Sequence, residues 1–324
     1  MGDQLVTIEA IRAAAERLEG VVQRTPVEPS RAASELVGHP TLLKCEHLQR
    51  TGSFKLRGAY NRIAQLSEEE RARGVACASA GNHAQGVALS ASLLGVKSMV
   101  FMPADAPLPK VDATRAYGAE VTLVGDSFDE AFAAAQQWTG DHGAVFVHPF
   151  DHPDVIAGQG TLGLEILEEV PDVGTVLVPI GGGGLCAGVA TAIKTQRPDV
   201  RVIGVEASGA ASMLASLQAG RPVALTDCTT FADGIAVKAV GALTLAHVQA
   251  YVDDVVTVSD ESIARAILLL VERAKQVVEP AGAAGLAAAM EHAADLDGTV
   301  VVPLCGGNVD PLLLQRIVQS GLFE

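Results

Sequence analysis

A chain of 324 residues, 49% apolar and 19% charged, buries too much surface to stay disordered and is too long for one ordinary core, so two domains or one large α/β unit are expected. Its 23 basic against 38 acidic side chains leave a formal charge of −15, which repels nucleic acid and anionic membranes and favours a small-molecule function. Five cysteines, at 45, 77, 186, 228 and 305, lack any C-x-x-C spacing, which excludes a zinc ribbon or disulfide scaffold and points to a reducing cytoplasm.

Leu5, Ile8, Ile11 and Leu18 recur at helical spacing among charges, so an amphipathic helix rather than a signal peptide is expected at the N-terminus. No later segment approaches the roughly 20 apolar residues of a membrane span. A strand at 41–46 follows, and then SFKLRGA opens a helix in which Lys55 sits between Phe54 and Leu56. A lysine in apolar company loses its proton readily and becomes an amine nucleophile, against the plainer reading of a surface lysine at a helix start. Ser67 with Glu70 has the spacing of a capping box.

A strand at 75–78 runs into Ser79-Ala80-Gly81-Asn82-His83, which opens another helix, and its amides and polar side chains suit a carboxylate; His83 alone is more often structural. Strands at 97–102, 120–124 and 144–147, with a second capping box at Ser127 and Glu130, complete a first block. Strands at 175–180, 201–206, 255–258 and 299–304, separated by Ala-rich helical stretches such as 263–275, form a second. Strand-helix alternation predicts parallel sheets, because parallel neighbours need crossover connections. The N-terminal helix and strand 41–46 are assigned to the second block. This makes a large domain of 1–49 plus 151–324 and a small one of 50–150, with a crossing at the two prolines of 148–153.

The run TVLVPI leads directly into Gly181-Gly182-Gly183-Gly184-Leu185 and a helix, a geometry in which bare amides and a helix N-terminus hold a phosphate. A tight turn that binds nothing needs one or two glycines rather than four. Residues 182–187 also satisfy G-x-G-x-x-A, and Glu206 ends the next strand near the spacing of a ribose-binding acid. On these residues alone a nicotinamide dinucleotide and another phosphorylated cofactor are both open.

Taken together, SFKLRGAYN at 53–61, SAGNHAQGVA at 79–88, GGGGL at 181–185, FADGIAVK at 231–238, VEPAGAAGLAA at 278–288 and PLCGGN at 303–308 resemble, in order, the pyridoxal 5′-phosphate-dependent serine/threonine dehydratases of fold-type II. The resemblance implies a tryptophan synthase β-like fold of two α/β domains, with open, mostly parallel sheets flanked by helices. It implies that Lys55 is the Schiff-base lysine and general base, that Phe54 neighbours the cofactor ring and that Asn82 bonds its 3′-oxygen. Gly181 to Gly184 with Leu185 would hold the phosphate, and Ser79, Gly81, Asn82 and His83 the substrate carboxylate. Cys305 falls beside the pyridine nitrogen, where a thiol cannot keep a proton on that nitrogen, which favours prompt β-elimination over a long-lived carbanion.

The implied reaction is dehydration and deamination of an L-β-hydroxy amino acid, threonine or serine before hydroxyaspartate or phenylserine, to a 2-oxo acid and ammonia. A nicotinamide-dependent oxidoreductase is the alternative from another class. Related serine racemases carry a serine where Ala80 stands, so racemisation is not expected. Related metal sites use a glutamate, a carbonyl and an aspartate; Glu206 and Ala210 match but Ser212 replaces the aspartate, and no divalent cation is assigned. The chain resembles the short enzymes without a regulatory domain, and a homodimer or homotetramer is implied.

Overall fold

The computed structural model describes residues 5–319. Ten strands are present among these residues: β1 (Val27–Pro29), β2 (Thr41–Lys44), β3 (Val75–Ala78), β4 (Ser98–Met102), β5 (Glu120–Leu123), β6 (Val145–Phe146), β7 (Val173–Pro179), β8 (Arg201–Ala207), β9 (Asp254–Val258) and β10 (Thr299–Pro303). Fourteen helices flank them among the described residues. They are α1 (Ile8–Leu18), α2 (Arg31–Val37), α3 (Lys55–Ala64), α4 (Glu68–Arg73), α5 (Asn82–Leu93), α6 (Leu108–Ala116), α7 (Phe128–His142), α8 (Pro153–Glu169), α9 (Gly184–Lys194), α10 (Ser212–Ala219), α11 (Ala242–Tyr251), α12 (Asp260–Leu269), α13 (Pro280–Glu291) and α14 (Pro311–Gln319).

The strands form two sheets, in the orders β1-β2-β10-β7-β8-β9 and β5-β4-β3-β6. Every pairing is parallel except β1 with β2. The central strand β10 is buried along its whole length, and β7 nearly so, which explains their continuous Val-rich runs: a parallel strand covered by helices on both faces has no polar side. The expected strand at 41–46 stops at Lys44, because the chain turns into a short 3-10 segment at Glu46–Leu48. The short β1 carries no alternation that could announce it, and its Pro29 is tolerated because the strand lies at a sheet edge.

The Ser67 capping box forms in both directions. The one at Ser127 forms by half: Ser127 accepts the Glu130 N–H, but the Glu130 carboxylate accepts from Asp126 N–H instead of closing back on Ser127. The helix expected over 263–275 ends as an α-helix at Leu269, and Leu270–Ala274 continue as a π-turn closed by Lys275 in the left-handed region at φ 60°. Helix α1 packs Ile11 and Ala14 against Ile156, Ala157, Ala187 and Ala192, beside the six-stranded sheet.

Helix α3 is held by an ion network with little access to water. The Arg57 guanidinium spends all five donors: two on Glu46, two on Glu165 and one on the Thr161 hydroxyl, at 2.6 to 3.1 Å. Burial opposes its charge, but the two carboxylates outweigh that and raise its affinity for the proton. Lys44, fully buried on β2, joins the same network through Glu165 and Glu169, each at 2.8 Å. Where α3 meets α8 the backbones nearly touch: a Cβ on Gly158 would lie 2.5 Å from the Arg57 carbonyl oxygen, so that crossing requires glycine.

Candidate active site

Lys55 is the first residue of α3, and the chain before it is zipped to the turn after β10. Ser53 pairs with Gly306, and the Phe54 N–H donates to the Cys305 carbonyl at 3.2 Å. The Lys55 Nζ donates to the Pro149 carbonyl at 2.9 Å and stands 5.2 Å from the Phe54 ring centre. Burial lowers its pKa to about 8, with the Glu279 carboxylate opposing the shift. A neutral carbonyl accepts from ammonium or amine alike, so this lysine can give up its charge without breaking an ion pair.

The loop between β3 and α5 faces the same region. The Gly81 N–H is taken by Ser79 Oγ at 3.1 Å, while the first-turn amides of Asn82 and His83 lack intrahelical acceptors by the geometry of a helix start. The His83 imidazole is tied through one nitrogen to the backbone after β6. It is buried, its Nε2 donates to the Val147 carbonyl at 2.9 Å, and burial pushes its pKa down to about 3. Its backbone N–H, in the first turn of α5, suits the role expected of it.

Asn82 is clamped: Nδ2 donates to Glu279 Oε1 at 2.6 Å and Oδ1 accepts from Asn308 Nδ2 at 2.7 Å. One Nδ2–H remains for a ligand. Burial pushes the Glu279 carboxyl up to about 7, and nearby Asp233 adds to the shift.

The glycine loop links β7 to α9, with Gly183 in the left-handed region at φ 94° and the amides of Gly184, Leu185 and Cys186 opening the helix. A Cβ on Gly182 would lie 2.1 Å from the Phe150 ring, and one on Gly181 3.1 Å from Ile235 Cα, so the loop approaches its neighbours as bare backbone. The Leu185 side chain lies in the core with Cys305, and Phe54 packs against the same cluster. The lysine and the loop are thus joined by adjacent residues: the Pro149 carbonyl holds Lys55, while the Phe150 ring lies against Gly182 and the Phe150 backbone and Cβ against Gly184. The Cys305 thiol donates to the Pro303 carbonyl at 3.4 Å, and burial pushes its pKa well up, so it stays protonated.

Glu206 does not face a ribose. Its two carboxylate oxygens accept the N–H groups of Met213 at 2.7 Å and Leu214 at 2.9 Å at the start of α10. Burial there pushes its pKa up to about 7. Pro149, Phe150, Glu279 and Asn308 belong to the site, although none stands out singly in the sequence. The last two lie within the VEPAG and PLCGGN motifs, and only the fold brings those beside Lys55.

The family described as "Pyridoxal-phosphate dependent enzyme" matches residues 18–306. The chain is 52% identical over 320 residues to an L-threonine ammonia-lyase of Thermotoga maritima, covering 99% of this chain and 80% of that one. It is 44% identical over 320 residues to the L-threonine dehydratase catabolic TdcB of Escherichia coli K12, covering 98% and 96%. Its fold matches that of maize serine racemase with a TM-score of 0.93 at 38% identity, covering 98% of both chains.

Proposed function

Because the chain belongs to the pyridoxal-phosphate dependent enzymes, we propose that it is a fold-type II ammonia-lyase that converts L-threonine, and L-serine as a second substrate, to a 2-oxo acid and ammonia. The observation that carries this reading is a lysine amine held by the uncharged Pro149 carbonyl, with the next residue, Phe150, packed against the bare glycine loop. Bound in that space, pyridoxal 5′-phosphate supplies an aldehyde that condenses with amines and a ring that draws electrons from the substrate Cα. The residues fit it: Lys55 for the aldehyde, the amides from Gly181 to Leu185 for the phosphate, the spare Asn82 N–H for the ring oxygen, and Phe54 and Cys305 beside the ring.

Lys55 Nζ takes the Cα proton, and its lowered pKa keeps it a competent base near neutrality. Amides at the start of α5, with the Ser79 hydroxyl proton, hold the substrate carboxylate at a helix N-terminus. The Cys305 thiol, kept neutral by burial, holds no proton on the ring and favours prompt loss of the β-hydroxyl. The division into 1–49 plus 151–324 and 50–150, a cytoplasmic location and a homodimeric or homotetrameric state complete the proposal. Segregation of β3 to β6 into their own sheet supports the division. Keto-acid release measured across threonine, serine, hydroxyaspartate and phenylserine tests the substrate; the reading fails if threonine and serine give no product.

Two further outcomes are expected. Capture of the cofactor by the apo chain needs the uncharged amine, so with Lys55 at about 8 the capture rate rises about tenfold between pH 7 and pH 9 and then levels off. Growth of the bound-cofactor absorbance measures it, and a rate still climbing steeply above that range marks an ordinary lysine. Ala80 has no proton to exchange, so D-serine formation runs at least about a hundredfold below pyruvate release. Chiral chromatography of the serine pool decides this, and Ala80→Ser raises the D-serine share.

A further inference from the structure

Two consecutive residues of the crossing segment, Phe150 and Asp151, are each admitted by a glycine of another element. A Cβ on Gly182 would lie 2.1 Å from the Phe150 ring, and one on Gly241 would lie 1.9 Å from the Asp151 carboxyl carbon. Gly241 immediately precedes α11, so this helix begins without a capping side chain of its own. Asp151 supplies one from 93 residues back in the chain: its Oδ1 accepts the N–H groups of Leu243 at 3.1 Å and Thr244 at 3.0 Å. A carboxylate there satisfies two orphan donors and sits at the positive end of the helix.

Thr244 carries that position to the glycine loop. Fully buried, its hydroxyl accepts the Gly241 N–H at 3.1 Å and donates to the Gly182 carbonyl at 2.8 Å, closer than the Gly241 carbonyl at 3.1 Å. A run of four glycines has more backbone freedom than any other sequence, so its peptide planes flip cheaply unless held. Holding the Gly182 carbonyl fixes the plane it shares with the Gly183 N–H, and in a trans peptide that N–H points away from Thr244. We propose that Asp151 and Thr244 are positioning residues for the phosphate cradle: the carboxylate seats α11, and the α11 hydroxyl locks the Gly182–Gly183 peptide plane of the loop. This rests on the phosphate reading of the glycine loop given above.

The test is a titration of the full apo chain with pyridoxal 5′-phosphate and, in parallel, with pyridoxal, which has the aldehyde and lacks the phosphate, both followed by absorbance. If the wild type shows no preference for the phosphate ester, the phosphate reading itself fails. Given that preference, Thr244→Val keeps the side-chain shape and deletes both hydroxyl bonds. Its affinity for pyridoxal 5′-phosphate is expected to fall about tenfold to a hundredfold, while that for pyridoxal stays within about twofold. Thr244→Ser restores the wild-type ratio. Asp151→Ala shows the same selective loss, about tenfold, and Asp151→Asn, whose amide oxygen still accepts, stays near wild type. That pair decides the matter should Thr244→Val fail to fold. Equal losses for both ligands, or an unchanged affinity for the phosphate ester in either deletion, overturn the proposal.

Discussion

Lys55→Ala is expected to lower keto-acid release from threonine by about a thousandfold or more, because one substitution removes both the tether for the aldehyde and the base for the Cα proton. The protein should fold normally, since the Lys55 Nζ bonds only a carbonyl that water can satisfy and supports no ion pair. Its mixture with pyridoxal 5′-phosphate should lack a borohydride-reducible chromophore. Lys55→Arg should be equally inactive, because a guanidinium keeps its proton at any accessible pH. Activity within about tenfold of wild type in either variant would remove Lys55 from the chemistry.

The largest effect on stability is expected two residues further on. Arg57→Met keeps a straight apolar stem in place of the guanidinium and leaves Glu46, fully buried, with the Thr25 hydroxyl at 2.6 Å as its remaining close partner. Removing one member of a buried pair costs about 3 to 5 kcal/mol, far above the value of an exposed bridge. Glu46→Gln should cost a comparable amount, and the double variant less than the sum, because the two side chains share their bonds.

The pH dependence carries a sign. Burial raises the Glu46 pKa, but Arg57 outweighs it and holds the carboxyl below the usual range. In the wild type its contribution is therefore complete above the unfolded value near 4.3 and is lost as pH falls through the lower folded value. Without Arg57, burial, the largest influence, is opposed only by the Thr25 hydroxyl and the more distant Lys44, so the folded value rises and the carboxylate destabilises at neutral pH and is relieved by protonation. The stability gap between Arg57→Met and wild type should narrow between about pH 7 and pH 5. Denaturant unfolding at the two pH values measures it, and a gap under about 1 kcal/mol, or one that fails to narrow, would show that the network is not held by this pair.

Much of the fold was legible because parallel strands covered on both faces leave continuous apolar runs, as at 75–78 and 299–303, and because helix ends are marked by Ser, Gly and Pro. The ends of elements were less so. Glu130 sits at capping-box spacing from Ser127 yet turns to Asp126, and α12 loosens into a π-turn that no local pattern announces. Glu206 shows the same limit in the site: its spacing suits a ribose, and only the path of the chain at Ser212 to Leu214 assigns its oxygens to a helix end.

The sequence by itself determined the alternation of strands and helices, the glycine-rich turn and a short set of chemically able side chains, since these depend on neighbours within a few residues. It singled out Lys55 in SFKLRG, but it did not say what occupies Lys44 in TLLKCE, a lysine also in apolar surroundings. The tertiary structure did. It places the carboxylates of Glu165 and Glu169, more than a hundred residues away, 2.8 Å from Lys44 and commits that amine to an ion pair, while Lys55 meets an uncharged carbonyl beside the glycine loop. Whether a lysine is a structural cation or a reactive amine is set by the charge of the group that faces it, and that group arrives through the fold.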